Sequence, residues 1–206
     1  MTKHRISPIT RVELDKVDAT ADELVVEAPL AITLVTESAE PKGLAVTMRT
    51  PGDDTFLCAG FLLTEGIIDS PADIQDIKIQ KQGGDIAEAI VQFSPGFKLD
   101  PGKLERNIYT HSSCGICSKP TLESIEVVAP SLENQPNPVL SAQALYRLPQ
   151  LLRSTQASFA KTGGIHAAAL INGEGECVSS MEDVGRHNAV DKLVGKALLE
   201  NTLPLH

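Results

Sequence analysis

The segment His111-Ser112-Ser113-Cys114-Gly115-Ile116-Cys117-Ser118-Lys119 holds two of the chain's four cysteines. The two thiols stand three positions apart in a Ser- and Gly-rich stretch with a basic residue close behind. Such a pair can ligate a metal, work as a redox dithiol, or carry sulfur on one thiol while the other assists. A structural zinc site wants four ligands, usually from a second close pair or from closely spaced histidines. Cys58 and Cys177 are isolated, each in an apolar element where a small buried residue is expected. His111, His166 and His187 can join the pair in space, but no spacing demands it. His166-Ala167-Ala168 also lacks the Glu, and the place ahead of the cysteines, that a zinc deaminase requires. No metal is therefore expected, and a zinc-binding, partner-docking pair is kept as the alternative.

A redox Cys-x-x-Cys lowers its first thiol's pKa at a helix N-terminus, normally after a strand in a βαβ setting. Here Ile108-Tyr109-Thr110 gives only a short strand-like lead, and Pro120 lets a helix begin after Lys119. A sulfur acceptor must instead be accessible, mobile and favoured as an anion, and His111 and Lys119 beside a Ser/Gly loop meet those demands. Composition does not rank sulfur transfer above dithiol redox chemistry.

The 206 residues carry a formal charge of −9, which opposes any general affinity for nucleic acid. The acidic residues are scattered, as on a solvated surface. No apolar run approaches the roughly 20 residues that span a bilayer, and no apolar signal core follows Met1-Thr2-Lys3-His4. These features suggest a cytoplasmic protein with no membrane partner. In that compartment a close cysteine pair is metal-binding or catalytic rather than structural.

Around the pair, residues 1–22 read as a polar arm, 23–105 as a small α+β subdomain, and 106–206 as the part carrying the thiol loop. Strands are expected at Glu23–Val26, Pro29–Val35, Leu44–Arg49, Ile74–Gln80 and Ile86–Phe93. Pro51-Gly52-Asp53-Asp54 should turn the chain, its aspartates capping a helix over Thr55–Glu65 with Phe56, Leu57, Leu62 and Leu63 on its apolar side. A connector at Ser131–Pro138 precedes a helical stretch over Ala142–Phe159, split or kinked at Pro149.

Thr162-Gly163-Gly164-Ile165-His166 then feeds a buried strand, and a hairpin at Asn172-Gly173 leads to Cys177-Val178-Ser179. Glu182-Asp183-Val184-Gly185-Arg186-His187-Asn188 opens a final helix, with Asp183 as its cap and Val190, Leu193, Val194, Ala197 and Leu198 on one face. Gly163 and Gly164 read as a backbone turn, or as a place where the backbone approaches a phosphate or pterin. His166 either is buried and satisfied or lines a cleft.

Five blocks, taken together and in order, resemble the formate dehydrogenase accessory sulfurtransferase family, FdhD. They are Met48–Asp54, Gly60–Ile68, Ser112–Cys117, Thr162–Ala169 and Glu182–Leu193. The resemblance implies a sulfurtransferase that takes persulfide sulfur from a cysteine desulfurase. It would deliver that sulfur to the molybdenum cofactor, a bis-molybdopterin guanine dinucleotide, for formate dehydrogenase activation. Cys114 would hold the persulfide and Cys117 would be its partner thiol. No cofactor would be tightly bound.

The implied fold is an α+β N-terminal part joined to a cytidine-deaminase-like α/β part, assembled as a homodimer. Arg186 and His187 place positive charge where it opposes the helix dipole, so beside an anionic guanine dinucleotide they would contact phosphate. Gly163, Gly164 and His166 complete the expected cofactor-binding set. Members of the family usually continue further, whereas this chain stops at Leu203-Pro204-Leu205-His206. The α/β part is therefore expected to lack its C-terminal elements, and guanine-nucleotide binding to be weak.

Overall fold

The computed structural model describes residues 2–37, 39–100, 102 and 140–203. It is a mixed α+β structure whose described strands form three sheets. β1 (His4–Glu13) and β2 (Lys16–Val25) make an antiparallel ribbon, in register from His4↔Val25 to Glu13↔Lys16. The polar arm expected over 1–22 is thus a regular hairpin, turned at Leu14 with φ 51°. Its Pro, Ala, Asp and Lys residues dilute the β-forming signal, so only its end, at Glu23–Val26, looks strand-like in sequence.

The second sheet has the order β4-β3-β6-β5, built from β3 (Ala28–Thr36), β4 (Ala39–Arg49), β5 (Ile74–Gly83) and β6 (Ile86–Phe93). β3 runs parallel to β6, and the outer pairs are antiparallel. Alternate residues point to one face, so Leu30, Ile32 and Leu34 of β3 and Ala87, Ala89, Val91 and Phe93 of β6 are buried together. Helix α1 (Asp54–Thr64) covers that face with Leu57, Cys58 and Leu62.

The aspartates before α1 do not cap it. Asp53 has left-handed dihedrals (φ 58°, ψ 24°) and pairs with Lys3 at 2.9 Å, while Asp54 is drawn inward by Arg49. Phe56 and Leu63, expected on the apolar side, are half-buried, and Ala59 and Gly60 are buried instead.

Helix α2 (Ala142–Thr155) begins under a cap from Ser141, whose Oγ accepts from Ala144 N at 3.1 Å. It runs through Pro149 and ends at Gln156, where α3 (Ala157–Thr162) starts. The break expected at Pro149 therefore comes seven residues later. β7 (His166–Ile171) and β8 (Cys177–Asp183) form the third sheet, and α4 (Arg186–Leu199) follows. β7 is half-buried rather than buried, because its partner among the described strands is β8 alone.

Helix α4 packs on α1 through a glycine contact. A Cβ on Gly60 would overlap the carbonyl oxygen of Asp191, and one on Gly195 would overlap that of Phe56. Only glycine at both places lets the two backbones approach so closely. The inward face of α4 is accordingly Ala189, Lys192, Gly195, Ala197 and Leu198. Val190, expected on that face, is exposed, since the close approach rotates the small residues inward. Leu198 joins the core of the four-stranded sheet.

Candidate functional site

Where β4 ends and α4 begins, two of the five sequence blocks meet in a buried polar seam. Arg49 closes β4 and is fully buried. Its guanidinium grips Asp54 in a two-bond fork, Nε to Oδ1 at 3.1 Å and Nη2 to Oδ2 at 3.0 Å. Nη1 donates to the carbonyls of Ala28 at 3.0 Å and Asp85 at 2.9 Å. One side chain thus fixes the entry to α1, the start of β3 and the β5–β6 turn.

Beside it, Asp183 and Lys192 form a second fully buried pair at 2.7 Å. Asp183 Oδ2 also accepts from Thr50 N at 3.1 Å, and Oδ1 accepts from Gly185 N at 2.8 Å and Asn188 Nδ2 at 3.0 Å. Lys192 Nζ donates to Thr50 O at 2.9 Å, and Val184 N donates to Thr50 Oγ1 at 3.0 Å. Asn188 Nδ2 donates to Met48 O at 2.8 Å. Asp183 therefore does not cap the helix as expected. It ends β8 and accepts from both sides of the seam, while Gly185 takes the N-cap position without a side-chain bond.

Glu182 faces the other way, its carboxylate accepting from Ser158 N and Phe159 N at the start of α3, both at 2.9 Å. Asp191, one helix position from Lys192, accepts from Thr64 Oγ1 at 2.9 Å. Burial lifts its carboxyl to about 6, with Glu65 and Asp183 adding to the rise and the Thr64 bond opposing it.

Around this seam lies an exposed rim. His166 pairs in register with Asp183, so the start of β7 and the end of β8 lie side by side. Gly163 and Gly164 come just before that point and Arg186 and His187 just after it, so all five candidate binding residues gather at one end of the third sheet. All five are exposed. His166 is thus not buried. Gly163 caps α3 in a left-handed conformation (φ 65°) with open space where a Cβ would stand, which bears out the backbone turn.

Cys114 and Cys117 lie outside the described residues, as do His111 and Lys119. Of the other cysteines, Cys58 is sealed in the core. Burial pushes its thiol up to about 12, Asp54 adding to the rise and Arg49 opposing it. Cys177 is half-buried, with Sγ 3.5 Å from the carbonyl oxygen of Ser179. Among the described residues no group of three or more His, Cys, Asp or Glu side chains could hold a metal. No described helix is long and apolar enough to cross a membrane.

The sequence model of the FdhD/NarQ family matches residues 25–205. The chain belongs to that family. A sulfur carrier protein FdhD from Streptomyces avermitilis is 44% identical over 203 residues, covering 96% of this chain and 70% of the relative. Another sulfur carrier protein FdhD, from Mycobacterium tuberculosis, is 36% identical over 212 residues, covering 99% and 74%. In three dimensions the chain is similar to a crystal structure described as a formate dehydrogenase accessory protein from Desulfotalea psychrophila. That likeness has a TM-score of 0.69 at 22% identity and covers 97% of this chain and 70% of the other, so it concerns the fold. Against this FdhD/NarQ membership, blocks Met48–Asp54, Gly60–Ile68 and Glu182–Leu193 have a physical reading as the seam and the helix contact that join β4 and α1 to β8 and α4.

Sequence reasoning gave no role to Arg49, Thr50, Asn188, Asp191 or Lys192. One signal was available. Lys192 sits three positions after Ala189 and three before Gly195, in line with small residues on a helix face, and a charge there implies a buried partner.

Proposed function

We propose that this chain is a sulfur carrier in which Cys114 accepts a sulfur atom as a persulfide from a cysteine desulfurase. Membership in the FdhD/NarQ family, with relatives named sulfur carrier proteins, is the observation that carries the reading. The buried Cys58, its thiol held far above neutral pH, is unsuited to the task.

In the uptake step the Cys114 thiolate attacks the outer sulfur of the donor's Cys–S–SH. The donor's S–S bond breaks, a Cys114–S–SH forms, and the donor leaves as a thiolate with no net oxidation. In delivery, the Cys117 thiolate attacks the inner sulfur of Cys114. A Cys114–Cys117 disulfide forms and the carried atom leaves as hydrosulfide, the two cysteine thiols supplying the two electrons. The acceptor is a molybdenum cofactor destined for formate dehydrogenase.

The rim of Gly163, Gly164, His166, Arg186 and His187 suits the phosphates of a guanine dinucleotide on that acceptor. The open Gly163 leaves room for backbone approach, and the Arg186 guanidinium and the two imidazoles offer donors to anionic oxygens. In this reading residues 106–206 form a cytidine-deaminase-like part, residues 23–105 its α+β companion, and the protein works in the cytoplasm as a homodimer.

Incubation with a cysteine desulfurase and cysteine, followed by intact-mass measurement, tests the proposal. A reductant-labile gain of one sulfur atom is expected, kept in Cys58→Ala and absent in Cys114→Ala. No adduct, together with stoichiometric zinc that Cys117→Ala removes, would replace this reading with a zinc-dependent docking module.

A further inference from the structure

The first turn of α4 is held from outside the helix. Gly185 stands at the N-cap and has no side chain to offer the amides of His187 and Asn188, where a cap normally bonds. The residue at the third helical position commonly reaches back to the N-cap N–H. Here Asp183 Oδ1 accepts from that N–H at 2.8 Å, which releases the side chain of Asn188, at the third position, for other bonds. Its Nδ2 uses both hydrogens, donating to Asp183 Oδ1 at 3.0 Å and to Met48 O at 2.8 Å. Its Oδ1 accepts from Thr47 Oγ1 at 3.3 Å. One amide therefore ties α4 to β8 and to β4 at once.

The tie runs between the two sides of the rim. Asp183 stands opposite His166 in the β7–β8 register, and Asn188 directly follows Arg186 and His187. Burial fixes neither histidine, since both are exposed, so their relative placement is set by the backbones that carry them. Lys192 grips the Asp183 carboxylate from more than one turn further along, and leaves the first turn to Asn188.

The neighbouring glycine serves the same tie. A Cβ on Gly185 would stand 3.0 Å from Asn188 Nδ2 and 3.2 Å from its Cγ, so the amide would have to give way. The dihedrals of Gly185 (φ −94°, ψ 122°) are open to any residue. Its missing side chain therefore makes room for the amide rather than for a strained backbone.

We infer that Asn188 is a positioning residue. Through Asp183 and Met48 it sets Arg186 and His187 of α4 against His166 of β7, so that the three face one anionic group together. This role rests on the rim being the phosphate-facing surface proposed above. Asparagine suits the position for a chemical reason. Both groups it donates to are acceptors, so an aspartate of the same shape would turn an oxygen toward the Asp183 carboxylate and the Met48 carbonyl.

Titration of the full chain with guanosine diphosphate, followed through the imidazole signals in proton–nitrogen correlation spectra, tests the role. In the wild type the rings of His166 and His187 should move along one binding curve, in the millimolar range that weak binding gives. Asn188→Asp and Gly185→Ala should each raise the dissociation constant by about fivefold or more, the worth of one net hydrogen bond, and leave the two rings with unequal curves. Val91→Ala opens a cavity in the core of the four-stranded sheet and serves as the stability control. It should unfold at lower urea and keep the wild-type curve. A wild type that binds, matched by Asn188→Asp and Gly185→Ala, would overturn the inference and leave the rim reading standing. Variants whose affinity falls no further than that of Val91→Ala would overturn it too. A wild type whose rings ignore the nucleotide would remove the rim reading, and the inference with it.

Discussion

Replacing Lys192 by methionine should remove a large share of the molecule's stability without touching its apolar packing. Methionine keeps the length and oiliness of the lysine stem, so the change isolates the ammonium group. That group lies 2.7 Å from Asp183 Oδ2 and donates to Thr50 O at 2.9 Å, in a place with no solvent exposure. Without it a buried carboxylate loses its counter-charge and a buried carbonyl loses its donor. Breaking one side of a buried pair costs about 3–5 kcal/mol. Asp183 retains bonds from Thr50 N, Gly185 N and Asn188 Nδ2, which holds the expected loss near the lower end, about 3 kcal/mol. Against a total on the order of 5–15 kcal/mol this is severe. Urea unfolding followed by circular dichroism should show the midpoint falling by about 1.5 M with an unchanged slope of about 2 kcal/mol/M. In a double-mutant cycle, Asp183→Ala with Lys192→Met should be about 2 kcal/mol less damaging than the two single changes added together. A loss under about 1 kcal/mol, or strict additivity, would refute the assignment of this pair as the bond across the seam.

Gly60→Ala should destabilise by about 2–3 kcal/mol despite a helix-propensity gain of about 1 kcal/mol, because its methyl meets the Asp191 carbonyl; Gly43→Ala, with open space around it, serves as the neutral comparison in the same urea assay. For Asp191 the folded carboxyl titrates near 6 against an ordinary 3.8, so the folded state binds the extra proton and stability falls as pH rises from about 4 to about 6. Asp191→Asn should flatten that slope and be more stable above pH 6 by on the order of 2 kcal/mol, and parallel pH profiles for the two proteins would contradict this.

Strands with dense β-branched or aliphatic alternation were legible in the sequence, as was the helix after the Pro51-Gly52 turn. β3, β6 and α1 lie close to their expected places because their own residues decide them. The ribbon was not legible, since Pro, Ala and charged residues interrupt its apolar alternation and, among the described strands, its two strands pair with each other alone. Pro149 lies inside α2, so the split of this helical stretch falls at Gln156, after the proline. Position along the chain also hid the roles of the aspartates. Asp54 and Asp183 look like caps beside helix starts, but Asp54 is held by Arg49 at the end of β4, and Asp183 finds Lys192 and Thr50 only once β4, β8 and α4 come together. The rim residues Gly163, Gly164, His166, Arg186 and His187 were placed by resemblance, and the structure gathers them at one sheet end. The thiol pair was the plainest feature of the sequence and lies outside the described residues.

The glycine crossing of α1 and α4 has a consequence for how the chain is made. Leu198 belongs to the same core as Leu34, and Thr50 is bonded to Asp183 across 133 positions. Contacts this far apart in sequence slow folding, because long loops must close before they are rewarded. As the chain leaves the ribosome, β3 to β6 and α1 emerge first, with Gly60 bare and Thr50 still waiting for Asp183, Val184 and Lys192 on the other side of the seam. Only when α4 clears the exit tunnel does the second helix arrive to cover them. A nascent chain of this protein therefore holds a half-finished core from the completion of β6 until α4 is made, and it is in this interval that aggregation or chaperone capture competes with folding.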